Sequence, residues 1–294
     1  MKKGLKKALR RITSPFRKVG KFISRKFKPV RDFFFKEPEE APLGDSLQMA
    51  FEQPQGMLEH LDALRRHIFR SLVVFFLAAG GAYIFLDELL NWITVPIGGI
   101  DQLRAVEVTE PIGVAMRVVV LVGFALALPY ITFEIFLFIA PALSRRARIS
   151  GLLAIPLVVV FFFGGMAFAY YLILPTGLPV LLNFLPVPTE IRPSSYMRFV
   201  TGLMFWIGLV FEFPLISYLL SSLGIISART LLDNWRIAVV IMAVLAAVIT
   251  PTIDPINMML VMGPLLVLYG FSIVLSLLAG GRRRRRRDRQ QLDG

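Results

Sequence analysis

Long apolar windows alternate with short charged clusters along this chain, and the windows can be measured against a bilayer. An α-helix rises about 1.5 Å per residue, so crossing a hydrocarbon core of roughly 30 Å takes about 20 residues. Between Arg70 and Asp87 lie 16 uncharged residues, enough for a first span flanked by amphipathic turns. Between Arg117 and Arg145 lie 27 residues interrupted only by Glu134, a second span. Arg148 to Glu190 encloses 41 uncharged residues, in which Leu152 to Leu174 reads as the third span and Pro175 as its stop. Arg198 to Arg229 encloses 30, broken only by Glu212, and makes the fourth. The last window, Arg236 to Arg282, holds 45 residues with Asp254 alone inside it, and Thr250 to Pro255 is a turn signal near its middle. Two short helices joined by a tight turn fit it. The apolar run of the fifth span, Ile237 to Ile249, is only 13 residues, or about 20 Å of helix, short of the usual core. The expected fold is therefore all-α: a polytopic membrane protein with six transmembrane helices.

Composition and charge sharpen this picture. Of the 294 residues 56% are hydrophobic, mean hydropathy is +0.67, and 33 Lys+Arg against 20 Asp+Glu leave a net charge of +13. Apolar surface and charge coexist because they are segregated, the charge gathering in the first seventy residues and the last fourteen. With the N-terminus cytoplasmic and six spans, 29 basic residues fall inside and four outside (Arg104, Arg117, Arg192, Arg198), which sets both termini in the cytoplasm. The cell inner (cytoplasmic) membrane is the expected location.

The chain divides into a basic extension (1–56), a membrane domain (57–280) and an Arg-rich tail (281–294). Residues 1 to 40 carry 14 Lys/Arg, with apolar residues every three or four positions from Leu5 to Phe34. Such a stripe suits an amphipathic segment on anionic lipids, broken at Pro15 and Pro29; a partly disordered basic tail is the alternative. The Arg282 to Arg287 run reads as a topology anchor and lipid-contacting tail, not as a nucleic-acid site. Arg65-Arg66 ahead of an apolar stretch superficially looks like a twin-arginine export signal. Its position behind a long basic extension and ahead of five more spans marks the first span as permanent.

Ionisable groups inside spans mark candidate sites, because a charge at mid-bilayer costs roughly 3 kcal/mol on insertion scales. Glu212 sits near the middle of the fourth window and reads as a polar spot for a partner or substrate helix. Glu134 is 11 residues before Arg145, where snorkelling toward the cytoplasmic face is an equally good reading. His60 and His67 lie two turns apart on one helical face, and a surface helix explains them more simply than a metal site. Zero Cys excludes thiolate metal sites, disulfides and cysteine nucleophiles. With no catalytic Ser/His pattern and no phosphate loop, neither an enzyme nor a cofactor is expected. Pro96 and Tyr170 read as turn and interfacial aromatic residues.

Five stretches together resemble the TatC family, the large membrane subunit of the twin-arginine protein translocase. They are Met57 to Arg66 before the first span, Phe138 to Leu143 at the end of the second, Gly165 to Tyr170 in the third, Phe211 to Pro214 in the fourth, and Thr250-Pro251 with Asp254 before the sixth. The resemblance implies a cup of six helices, the last two short. It also implies a receptor for twin-arginine signal peptides that assembles oligomerically with single-span TatA/TatB-type subunits, exporting folded proteins on the protonmotive force. On the matching positions, His60, Leu64, Arg65, Arg66, Phe138, Pro141 and Leu143 would form the signal-binding region. Glu212 would be the intramembrane polar contact, and Pro96, Tyr170 and Asp254 structural or outer-face positions.

The sequence departs from the family at the two glutamates that meet the signal's arginines: they fall on Ala63 and Ala147. A guanidinium is bound far better by carboxylate than by methyl, since charge-assisted hydrogen bonds are about twice as strong as neutral ones. Glu59, Asp62 and Glu134 are the candidate replacement acids, the last where the family often carries glutamine. A divergent paralogue with weakened signal binding is the alternative within the family. A small-solute secondary transporter is the alternative outside it, although no two-half repeat is visible.

Overall fold

The computed structural model describes residues 54–142, 145–183, 190–223, 225–249 and 255–292. Residues 1–53 of the basic extension, Leu143 and Asp254 lie outside them. Every regular element among the described residues is helical: α1 Pro54–Ile84, α2 Leu86–Thr94, α3 Glu110–Ile139, α4 Arg145–Phe168, α5 Leu174–Leu182, α6 Pro193–Phe211, α7 Phe213–Leu223, α8 Ala228–Asp233, α9 Trp235–Ile249 and α10 Pro255–Leu292. Five stretches are long and apolar enough to cross a membrane, and α9, at 15 residues, is the short one. Six spans thus stand where the charge-free windows placed them. In lipid every backbone group must bond internally, so an all-helical chain is what so apolar a sequence must form.

Two boundaries differ from expectation for local reasons. Pro175 does not end the third span: a five-residue π-turn, Ala169–Ile173, widens the coil, and Pro175 then sits in the first turn of α5. There its missing N–H costs nothing, and the span continues to Leu182. The fourth span is instead broken at Glu212, between α6 and α7, because Pro214 has no N–H with which to continue the ladder. The Glu212 N–H bonds back to Leu209 (3.1 Å), and the helix restarts with Ile216 N–H on the Glu212 carbonyl (2.9 Å). The last helix is also longer than its short predicted counterpart, running 38 residues with an apolar stretch over Met258–Leu278.

α1 lies along α3, α4 crosses α6, and α7 packs on α10. Lipid tails are as apolar as leucine, so such contacts depend on close packing. Phe162, Met197, Val200, Leu203, Met204 and Ile207 are completely buried at the centre, where Phe162 meets Phe124 and Phe205 edge-on or tilted. The α4–α6 crossing is set by Gly165, where an added Cβ would lie 2.8 Å from the Gly208 Cα and 2.9 Å from the Ile207 carbonyl oxygen. Both atoms are backbone and cannot rotate away. Gly165→Val is therefore expected to lower stability by about 1–3 kcal/mol through overpacking, read as a drop in thermal midpoint in detergent, whereas Gly164→Ala, which meets open space inside the helix, does not lower the midpoint.

Candidate functional site

Glu134 and His67 meet at one end of the α1–α3 pair. Glu134 is 2% exposed, so it does not snorkel to water. His67 Nδ1 lies 2.5 Å from its Oε2, and the Tyr130 hydroxyl, one turn earlier on α3, donates to Oε1 at 2.6 Å. Arg70, one turn further along α1, adds a favourable charge. His67 is thus a half-buried partner of an acid, not a residue of a plain surface helix. A carboxylate has about four lone-pair positions, so two remain to accept a further donor.

This pair heads an apolar groove of about 510 Å³ between α1 and α3. Leu64, His67 and Ser71 line it from one face of α1, with Ile131, Ile135 and Phe138 opposite. Phe138 also stands edge-on to the His67 ring at 6.0 Å. The helical phase explains the assembly: positions 64, 67, 68 and 71 share one face, and α1 presents it to α3. That phase was the signal by which His67 could have been recognised, since it continues the face of Leu64.

Other expected site residues are placed less centrally. Asp62 is exposed and pairs with Arg66 at 3.2 Å, while Arg65 is exposed. The Pro141 carbonyl accepts from Arg148 Nη2 at 3.2 Å, which ties the end of the second span to the start of the third. Leu143 and the side chains of Glu59, His60 and Ala147 lie outside what is described. Ala63 is half-buried on α1.

Glu212 forms a second polar site. It is 6% exposed, and neither carboxyl oxygen has a hydrogen-bond partner among the described residues. Buried polar groups are paired in the great majority of cases, so an orphaned carboxyl at mid-span carries a cost that the fold alone does not explain. Tyr170 is buried, stacked on Trp92 at 4.1 Å, and its hydroxyl donates to the Trp92 carbonyl at 2.5 Å. It pins α2 to the π-turn. Pro96 is half-buried in the 3-10 turn Val95–Ile97 that follows α2.

Comparison with known proteins fits this geometry. Residues 59–264 match the family described as Sec-independent protein translocase protein (TatC). A Sec-independent protein translocase protein TatC from Carboxydothermus hydrogenoformans is 32% identical, over 76% of this chain and 94% of that protein. One from Deinococcus radiodurans is 36% identical, over 75% and 85%. The crystal structure of a twin-arginine translocase receptor, TatC, superposes with a TM-score of 0.67 at 29% identity, covering 75% of this chain and 99% of that one. With more than half its length matched in sequence, its six spans in place and the glutamate at position 212 buried, this chain belongs to the TatC family of Sec-independent protein translocases.

Proposed function

We propose that this chain is the receptor and core subunit of a twin-arginine translocase, a multi-pass protein of the inner membrane with both termini in the cytoplasm. It docks twin-arginine signal peptides and assembles with single-span TatA/TatB-type subunits to export folded proteins on the protonmotive force. One observation carries the recognition step: a buried carboxylate, Glu134, heads an apolar groove. A signal that places an arginine pair before an apolar run presents the same order of chemistry. A guanidinium pairs with a fixed carboxylate in two parallel hydrogen bonds, and the run that follows lies along Ile68, Phe75 and Ile131. Glu134 then takes over the work of the family glutamates that Ala63 and Ala147 have replaced.

Those two alanines favour a second reading, in which the chain assembles but holds signals weakly. Export by inverted membrane vesicles separates the two. With the partner subunits present, a folded twin-arginine reporter is expected to become protease-protected, and an uncoupler abolishes the protection. Assembly with the partners and no protected reporter supports the weak-binding reading instead.

A further inference from the structure

At the end of the bundle opposite Glu134, the starts of α3 and α6 and the last turns of α5 enclose a cavity of about 750 Å³. The charge distribution makes it unusual. Of the four basic residues that the sequence places at this end, Arg117, Arg192 and Arg198 all line this one cavity. Positive charge is sparse on this side of the chain, yet here it is concentrated.

The three arginines are not equivalent. Arg192 is committed: its Nη2 donates to Glu110 at 2.6 Å and to Glu107 at 2.9 Å, and these bonds raise its pKa above that of an ordinary arginine. Glu110 is in turn satisfied by the Ser194 hydroxyl (2.9 Å) and the Val106 N–H (3.1 Å). Arg117 and Arg198 have no ion-pair or hydrogen-bond partner among the described residues, although Arg117 is half-buried. Glu190, the remaining acid of the lining, has none either.

Depth orders these charges. Arg117 lies seven residues into α3 and Arg198 five into α6, about 10 Å and 8 Å below the helix starts at ~1.5 Å per residue. Glu107 and Glu190 precede those starts, and Glu110 is the first residue of α3. Two free guanidiniums thus stand deep and the carboxylates stand shallow, beside an apolar wall of Leu178, Leu182 and Phe199. The three arginines and three glutamates sum to zero, so the cavity as a whole does not favour an anion; it favours a ligand whose negative group points inward and whose positive group points outward.

We infer that this cavity holds a phospholipid with an ammonium headgroup, of the ethanolamine class. Its phosphodiester is bound by Arg117 and Arg198, its ammonium faces Glu190 and Glu107, and its acyl chains leave along Phe199 and Leu182. Guanidinium is the side chain best matched to phosphate oxygens, and at headgroup depth phosphodiester is the anion at hand. The inference rests on the membrane-spanning part of the proposed function and is independent of signal recognition.

Native mass spectrometry of the full-length protein, released from nanodiscs of equal phosphatidylethanolamine, phosphatidylglycerol and diacylglycerol, tests it. The wild type is expected to retain one phosphatidylethanolamine in preference to the other two. Arg117→Gln with Arg198→Gln lowers that retention roughly tenfold, and the matching double Lys variant keeps most of it. Glu190→Gln abolishes the preference for ethanolamine over glycerol while phosphate-bearing lipids stay bound. Retention no better than diacylglycerol overturns the site, as does equal retention by the double Gln variant, or equal loss in the Gln and Lys variants. Equal wild-type retention of the two phospholipids, or displacement by millimolar inorganic phosphate, overturns the assignment of an ammonium lipid.

Discussion

Glu134→Gln is expected to weaken binding of a twin-arginine precursor by about ten- to a hundredfold, the range that follows from losing a charge-assisted hydrogen-bonded pair in a buried site. The substitution keeps the side chain's shape and leaves an oxygen for Tyr130, so the groove and the thermal midpoint persist. Asp62→Asn is expected to have almost no effect. Asp62 is exposed and already engaged with Arg66, and exposed pairs contribute roughly 0–1 kcal/mol. The surface at this end bears Arg65, Arg66 and Arg70 and repels an arginine pair, so capture is expected to depend on Glu134, the acid that lies out of water here among the described residues. Equilibrium binding of a fluorescent precursor to the purified complex gives the two values. If the double variant Glu134→Gln, Asp62→Asn binds as well as wild type, the pocket has been assigned to the wrong residues.

Glu212→Leu is expected to move stability and export in opposite directions. Removing a buried carboxyl whose oxygens have no hydrogen-bond partner among the described residues relieves a cost of about 1–3 kcal/mol. The leucine enters a setting already lined by apolar side chains such as Phe211, which touches Phe168. The thermal midpoint therefore rises. On the proposal that this carboxyl is the hydrogen-bonding group the fourth span offers to a partner or signal helix, export is expected to fall tenfold or more. Natural proteins keep destabilising groups where function needs them. Midpoint and export rate measured on the same preparations decide the point: a lower midpoint would show a hidden structural partner, and normal export would remove the functional role.

The span count and the position of both intramembrane acids were legible because charge-free windows report directly on bilayer thickness. The short α9 was legible for the same reason, its 13-residue apolar run becoming a helix of 15. What escaped was tertiary. A proline in sequence gives no sign of whether a π-turn will carry the helix past it, so Pro175 read as a stop, while Pro214 does break its span. Tyr170 read as interfacial because aromatic rings often are; only the fold brings it onto Trp92. His67 reads in sequence as part of a surface helix; its phase with Leu64 puts it on the packed face, but the acid it meets lies 67 residues away, and only the fold identifies that partner. The cavity around Arg117 and Arg198 is a collection of the same kind, gathered from three elements that share no motif.

Photo-crosslinking from a probe amino acid at position 138, on the wall of the Glu134 groove, bears most directly on the assignment of this chain as a signal receptor. A precursor whose signal carries the arginine pair should crosslink to that position, and the same precursor with a lysine pair should crosslink at least tenfold less, since a lysine cannot form the two-pronged contact. Equal crosslinking of both precursors, or of neither while both reach some other face of the bundle, would contradict it.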